Sequence, residues 1–311
     1  GVGAYSLQNN TTGYDNSAVG YSSLKTNTTG YRNTANGFYA LYSNTIGFEN
    51  TANGFFSLQQ NLTGSNNTAN GSNSLLNNTI GTNNNAFGYR ALIFNTTGAD
   101  NIAIGTDALY ANTIGTSNIA IGKNALKDNT LGLRNLAIGQ QALNGNTTGV
   151  NNIGFGYQSS LANLVGINNT AVGFQTLYNN TTNNNSAFGY RSLNYNTTGS
   201  SNNAFGFKAL YANTIGSKNS AFGYGAAFAN TTGKNNSAFG YNTLGGNTTG
   251  IQNTAMGGQA LQNNTIGVNN SAFGSYALLN NTTGNQNTAV GYQSLKANTT
   301  GICNVAVGKD A

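Results

Sequence analysis

The chain repeats a 17-residue unit from end to end, and this repeat constrains the fold more than any other feature. Two glycine series mark it, with Gly30 and Gly47 in the first and Gly37 and Gly54 in the second. The unit reads N-T-[TI]-G-x-x-N-[TSI]-A-[VFIN]-G-x-x-[AS]-L-x-x. Because the units of such an array complete one another's cores, the period decides the architecture. The pattern predicts a single repeat array over residues 1–311.

The residues of the unit favour short β-strands separated by turns. β-branched and aromatic residues recur between Gly and Asn, and the chain has 43 Gly and no Pro. Two glycines in every unit would each cost about 1 kcal/mol inside a helix, which excludes a helical repeat. Strands at so short a period predict an all-β fold, a β-solenoid or β-roll of about eighteen 17-residue coils.

One unit departs from the period between residues 183 and 189. Asn183 stands where the first series has glycine, and one residue is missing before Gly189. We expect a local kink or a tightened corner there. The chain also starts at Gly1 and stops at Ala311 inside repeats, which is typical of a segment of a longer protein.

Two asparagine slots recur in every unit, one near the first glycine and one at the start of the second predicted strand. An amide group both donates and accepts, so stacked asparagines can bond to the residues above and below. We therefore predict two structural ladders. The first contains Asn27, Asn44, Asn61, Asn78 and Asn95, and the second contains Asn33, Asn50, Asn67, Asn84 and Asn101. The triplets N-T-T and N-N-S also match the N-glycosylation motif, but the repeat accounts for them without sugar.

Leucine and alanine slots predict the interior. Leu fills the fourth place after the second glycine in 16 of 18 units. Ser160 and Ala227 are the exceptions, and their neighbours Leu161 and Phe228 are the expected substitutes. The place two residues before that glycine is Ala in 17 of 18 units, which indicates very close packing.

The residue directly before the second glycine varies in size, and we expect it to form a buried stack. It is Ile104 in one unit, but Asn36, Asn53 and Asn70 in three consecutive units. Buried asparagines are costly without partners, so these three would bond to one another.

Both faces of the second strand carry apolar residues in some units. Strand residues alternate between faces, and in "NIAIG" at 101–105 and 118–122 both residues of the second face are aliphatic. A single thin coil cannot easily cover both faces, which favours several chains packed side by side.

Aromatic residues follow the second glycine in many units. They predict an aromatic strip that lies between chains or at the surface, where it would bind glycans or a receptor. The strip contains Tyr21, Phe38, Phe55, Tyr89, Phe174, Tyr190, Phe207, Tyr224, Tyr241 and Tyr292.

The strands "NIAIG", "NLAIG" at 135–139 and "NVAVG" at 304–308 resemble the [ST]-V-A-I-G strand in the head repeats of YadA-like trimeric autotransporter adhesins. The pattern "NTAVGYQSLKANTTG" at 287–301 is similar to repeats of phage and bacterial tail-fibre proteins. The resemblance implies a left-handed β-roll and a homotrimer about a common axis. The unit here is three residues longer than the adhesin repeat, and repeat architecture alone does not fix a ligand.

The charged residues favour neither catalysis nor nucleic-acid binding. The net charge is +6, but only 12 Lys and Arg are scattered along the chain, whereas a phosphate-binding surface needs a dense stripe. There is no His, and the six acids occupy unrelated repeat slots, so we expect no enzyme activity, cofactor or metal. Cys303 has no base to activate it. No apolar run approaches the ~20 residues of a membrane span.

These features predict a structural or adhesive fibre segment, an adhesin head or a tail-fibre shaft, at a cell or virion surface. Its partners would be copies of itself and a host surface or glycan receptor. The alternative is an ice-binding solenoid. The middle residue of N-T-T and N-T-I is Thr in 16 of 18 units, interrupted by Leu62 and Leu164, and would form a stacked Thr face.

Overall fold

A computed structural model describes residues 1–311, which divide into two compact units, Gly1–Phe155 and Gly156–Ala311. The chain forms no helix, and its parallel strands recur about 17 residues apart in the coils of a β-solenoid, as the repeat predicts. The strands of the first unit are β1 Ser17–Val19, β2 Thr34–Asn36, β3 Thr51–Asn53, β4 Thr68–Asn70, β5 Asn85–Phe87, β6 Ile102–Ile104, β7 Ile119–Ile121, β8 Leu136–Ile138 and β9 Ile153–Phe155. Those of the second are β10 Thr170–Val172, β11 Ser186–Phe188, β12 Asn203–Phe205, β13 Ser220–Phe222, β14 Ser237–Phe239, β15 Thr254–Met256, β16 Ser271–Phe273, β17 Thr288–Val290 and β18 Val305–Val307.

Each unit has its own core of alanine and leucine. In the first unit Ala35 pairs with Ala52 across β2 and β3, and the strand alanines lie inside the coils. Leu41 and Leu58 pack into the same cluster and are fully buried. The second unit repeats the arrangement with its own alanines and leucines. The alanine slot stays small because the opposite wall of a single coil is close.

The residue before the second glycine faces outward, so the prediction of a buried stack is wrong. Val19, Ile104 and Met256 are 43%, 40% and 45% exposed. Asn36 and Asn70 at this position are exposed as well. In a three-residue strand the central alanine takes the inner face, so both of its neighbours must point away from the core.

Phe228 is also not the core substitute that the sequence predicts. The preceding residue, Ala227, keeps the buried leucine position, and Phe228 is 38% exposed. Ser160 is likewise buried, and Leu161 beside it is only partly so. The backbone therefore directs this position inward whichever side chain occupies it.

Each coil contains one regular strand, and the rest is turns that still bond to both neighbouring coils. Tyr39 N donates to Tyr21 O of the preceding coil at 3.0 Å, and Leu41 N donates to Ser57 O of the following coil at 3.1 Å. Tyr39 and Leu41 have positive φ angles of 56° and 51°. The left-handed conformation costs an L-residue about 1–2 kcal/mol, and the bonds to both neighbours hold it in place.

The repeat that is one residue short lies in the second compact unit, and one of its corners takes up the missing residue. Nδ2 of Asn169 and Nδ2 of Asn180 both donate to Thr182 O, at 2.6 and 2.9 Å, where other coils present a glycine carbonyl. The corner is one residue shorter there. Strands β10 and β11 keep their register, with Thr170 opposite Ser186.

Adjacent glycines test the space between coils. Gly257 has φ +122°, and a Cβ there would lie 2.6 Å from the Gly274 carbonyl carbon, whereas a Cβ on Gly258 would meet only Ser275 Oγ, at 3.9 Å. We expect Gly257→Ala to lower the free energy of unfolding by about 2 kcal/mol or more. Gly258→Ala should leave it unchanged or raise it by up to about 1 kcal/mol. Urea denaturation followed by circular dichroism measures both, and equal effects would contradict the packing described.

Candidate functional site

The first asparagine ladder is a buried chain of side-chain hydrogen bonds. Asn44 Nδ2 donates to Asn27 Oδ1 at 2.7 Å and to Gly47 O at 3.0 Å. Asn61 Nδ2 donates in turn to Asn44 Oδ1 at 2.8 Å. Asn78 and Asn95 continue the pattern, and the ladder asparagines of this stretch are fully buried. Each amide therefore ties its own corner and joins it to the preceding coil.

The second ladder uses the backbone as well. Asn33 Oδ1 accepts from Asn50 N at 3.0 Å and from Asn50 Nδ2 at 3.1 Å. Asn50 Nδ2 also donates to Gly64 O at 2.9 Å. The same bonds recur at Asn67, Asn84 and Asn101. Since this carbonyl belongs to the corner closed by the first ladder, the two ladders act on the same corner.

The ladder geometry bears on the glycosylation motifs. Asn27 begins an N-T-T motif, but it is fully buried, and its Nδ2 donates to Asn10 Oδ1 at 2.7 Å and Gly30 O at 2.9 Å. A sugar on this nitrogen would have to displace both bonds. A sugar at this position is therefore incompatible with the folded coil.

The aromatic strip is exposed, with its ten residues 38% to 56% accessible. Its rings stack on one another within each unit. In the first unit Phe38 lies 5.4 Å from both Tyr21 and Phe55, and in the second Tyr190 lies 5.2 Å from both Phe174 and Phe207. The rings turn their faces to each other and their edges to solvent. Tyr89 has no ring beside it and carries the Arg90 guanidinium 4.8 Å from its ring centre.

An outer sheet face of the first unit is apolar on both outward-facing positions of β6 to β9. It consists of Ile102, Ile104, Ile119, Ile121, Leu136, Ile138, Ile153 and Phe155. All eight side chains are exposed or partly exposed. The paired aliphatic residues in "NIAIG" are the sequence signal for this face.

The corresponding face of the second unit carries a phenyl stack. Phe205 lies 4.6 Å from Phe188 and 4.7 Å from Phe222, and Phe239 continues the stack at 5.0 Å. The repeat predicts a stack of these residues in the core, but the rings lie on the outer face, where Phe222 is 36% exposed.

The hydroxyl groups of the stacked threonines donate hydrogen bonds to the following coil. Thr28 Oγ1 donates to Thr45 O at 3.1 Å, and Thr79 Oγ1 donates to Thr96 O at 3.0 Å. These hydroxyl protons are committed to the next coil and are not free to order water. The arrangement does not favour ice binding, which stays a prediction.

A few of the charged groups form ion pairs. Arg90 Nε and Nη2 donate to the two carboxylate oxygens of Asp107, each at 2.8 Å, and this bonding raises the pKa of Arg90 above its ordinary value. Arg32 bonds Glu49 at 3.1 Å. No three Asp, Glu or Cys residues lie together in a way that could hold a metal ion. The structure contains no helix with the length and apolar character needed to span a membrane.

Neither a known protein-family model nor a curated protein matches this chain.

Two asparagines of one coil test the ladder. Asn33 is buried in the second ladder, whereas Asn36 is exposed. Asn33→Ala leaves Asn50 N without its acceptor and removes one of the two donors to Gly47 O, which keeps Asn44 Nδ2. The substitution should lower the free energy of unfolding by about 1–3 kcal/mol. Asn36→Ala should change it by less than about 0.5 kcal/mol. Chemical denaturation of both variants makes the comparison, and a tolerant Asn33 position would rule out the ladder as a source of stability.

Proposed function

We propose that this chain is a structural and adhesive segment of an extracellular fibre, in which copies of the chain associate side by side, as a homotrimer, and present a binding surface. The observation that carries the proposal is the outer sheet face of the first unit. The segment acts as a scaffold and not as an enzyme.

The outer sheet face supports association because it is apolar without interruption. Ile102 and Ile104 of β6, and Ile119 and Ile121 of β7, expose aliphatic carbon. Most other strands carry Thr, Ser or Asn at the position of Ile102 and Ile119. Contiguous exposed apolar surface of this kind typically marks an interaction site. Burying it removes hydrocarbon from water, at about 25 cal/mol for each Å².

A second copy is the partner that suits this face best. Its coils repeat at the same spacing, so each row of side chains meets an equivalent row along the whole contact. Closed symmetric assemblies are also the commonest form of soluble oligomer. The likeness to trimeric adhesin repeats favours three chains.

The interior suits a load-bearing fibre. Hydrogen-bonded asparagine ladders join neighbouring coils within each unit, and the second ladder passes through the short repeat, where Asn185 N donates to Asn169 Oδ1 at 3.0 Å. No cluster of metal ligands lies among them. A binding surface can therefore be carried on any exposed row without disturbing the core. This separation supports an adhesive role at a cell or virion surface.

Light scattering on matched double variants tests the association. Wild type should have a mass near three times 32.1 kDa. Ile104→Lys with Ile121→Lys places two cations on the outer sheet face and should reduce the mass to that of one chain. Ile114→Lys with Leu131→Lys places the same charges on another exposed row and should leave the trimer intact. A monomeric wild type, or equal masses for the two double variants, would contradict the proposal.

A further inference from the structure

A notch interrupts the second unit at the row of residues that directly follow the buried leucine position. Phe228 occupies this row, Gly245 takes the same place one coil on, and Gln262 follows in the next coil. Ala227 N donates to Thr243 O at 2.9 Å and Ala229 N donates to Gly245 O at 3.0 Å, which sets Phe228 opposite Gly245. One side-chain layer is therefore missing between a phenyl ring and an amide.

The notch has a volume of about 270 Å³ and an aromatic floor. Phe228 stacks on Tyr211 with ring centres 5.3 Å apart and planes 11° apart, so one ring face is covered. The other face opens where Gly245 and Gly246 leave the layer empty. This differs from the interior of the aromatic strip, where neighbouring rings cover both faces.

Amide groups surround the opening. Asn242, Gln262 and Asn263 line the notch with Phe228 and the two glycines. The side chains of Asn242 and Gln262 make no hydrogen bond within the protein, and Asn263 uses only Nδ2, which donates to Asn280 Oδ1 at 3.2 Å. Donors and acceptors are thus both available at the rim. None of the lining residues carries a charge, which indicates a neutral ligand.

We propose that this notch binds one pyranose ring of a neutral glycan. A pyranose has a face of C–H groups, which suits the electron-rich face of Phe228, and a rim of hydroxyl groups, which suits the three amides. A ring that enters the empty layer contacts Phe228 on one side and Gln262 on the other. A nucleotide is a poorer match because no cation lines the notch to bind its phosphate.

The glycan would be the ligand of the adhesive fibre proposed above. Sugar binding itself does not depend on that proposed function, and only its use in adhesion rests on it. Sugar binding at the notch and association through the outer sheet face involve different residues, so each can fail alone. A mass measurement on the same samples separates the two outcomes.

Saturation-transfer NMR on the full chain tests the proposal with four probes, the methyl glycosides of glucose, galactose, mannose and N-acetylglucosamine, and with adenosine as a competitor of different chemistry. We expect at least one glycoside to bind at millimolar concentration, with saturation strongest on the C–H protons of one ring face. Adenosine should not displace it.

Two variants should weaken binding by opposite means. Phe228→Ala removes the floor and should weaken binding at least tenfold. Gly245→Tyr fills the layer and should do the same, and the coil should tolerate it, because Tyr42, Tyr110 and Tyr178 occupy the same slot in other coils.

Two matched controls should bind as wild type does. Phe207→Ala removes an exposed ring of the aromatic strip, and Gly258→Tyr adds one next to Tyr241, and neither residue lines the notch. The proposal is overturned if no glycoside binds, if the Phe228 and Gly245 variants keep wild-type affinity, if the controls lose binding equally, or if adenosine binds in preference.

Discussion

The hydrogen bond between asparagines one coil apart is the interaction on which the rest of this structure depends. Asn50 donates to Asn33 Oδ1 through both its backbone and its side chain, and also holds the Gly64 carbonyl. These partners meet only if every coil keeps the same path. The glycine near each corner follows from this, because a Cβ on Gly47 would lie 2.4 Å from Asn44 Oδ1. A buried amide without partners would destabilise the fold. The constant period and the glycines keep the ladder amides bonded, so the three features are one constraint.

The same constraint explains why so much hydrocarbon lies outside. A coil that bonds tightly to both neighbours leaves room inside for alanine, leucine, the ladder amides and the small serines or threonines beside the leucine, but not for larger side chains. Larger apolar residues are placed on outward rows, where they stack along the coils as phenyl rings or aliphatic side chains. Where every coil of a row carries an aromatic residue, the ring faces are buried against each other. Where both outward-facing strand positions are apolar, the face suits contact with a second chain. Function is therefore expected at interruptions of rows, such as the notch beside Phe228, and on uninterrupted apolar faces.

The repeat was sufficient to predict the solenoid, because a constant period and alternating small and branched residues have few other solutions. It also placed Asn44 and Asn50 in slots where an amide would need partners above and below, and the structure places those partners there. The orientation of the residue before the second glycine was not predictable from alternation alone, since Ile104 and Ala103 could exchange faces if the coil were wider. The left-handed conformation of Leu41 was hidden for a similar reason, because leucine gives no local signal for positive φ. The notch could not be predicted from the sequence, because it depends on the register that places Gly245 opposite Phe228.

Two deletions that differ by one residue test most directly whether in-register stacking stabilises the fold. Removing residues 35–51 joins Thr34 to Ala52 and deletes one whole coil, with Asn33 kept in its ladder slot. Removing residues 35–50 joins Thr34 to Thr51 and puts Thr34 in that slot. Thermal unfolding followed by circular dichroism should give the first deletion a midpoint within a few degrees of wild type and the second a midpoint roughly 5 °C or more lower. Equal midpoints for the two deletions would show that the asparagine ladders do not hold the coils together.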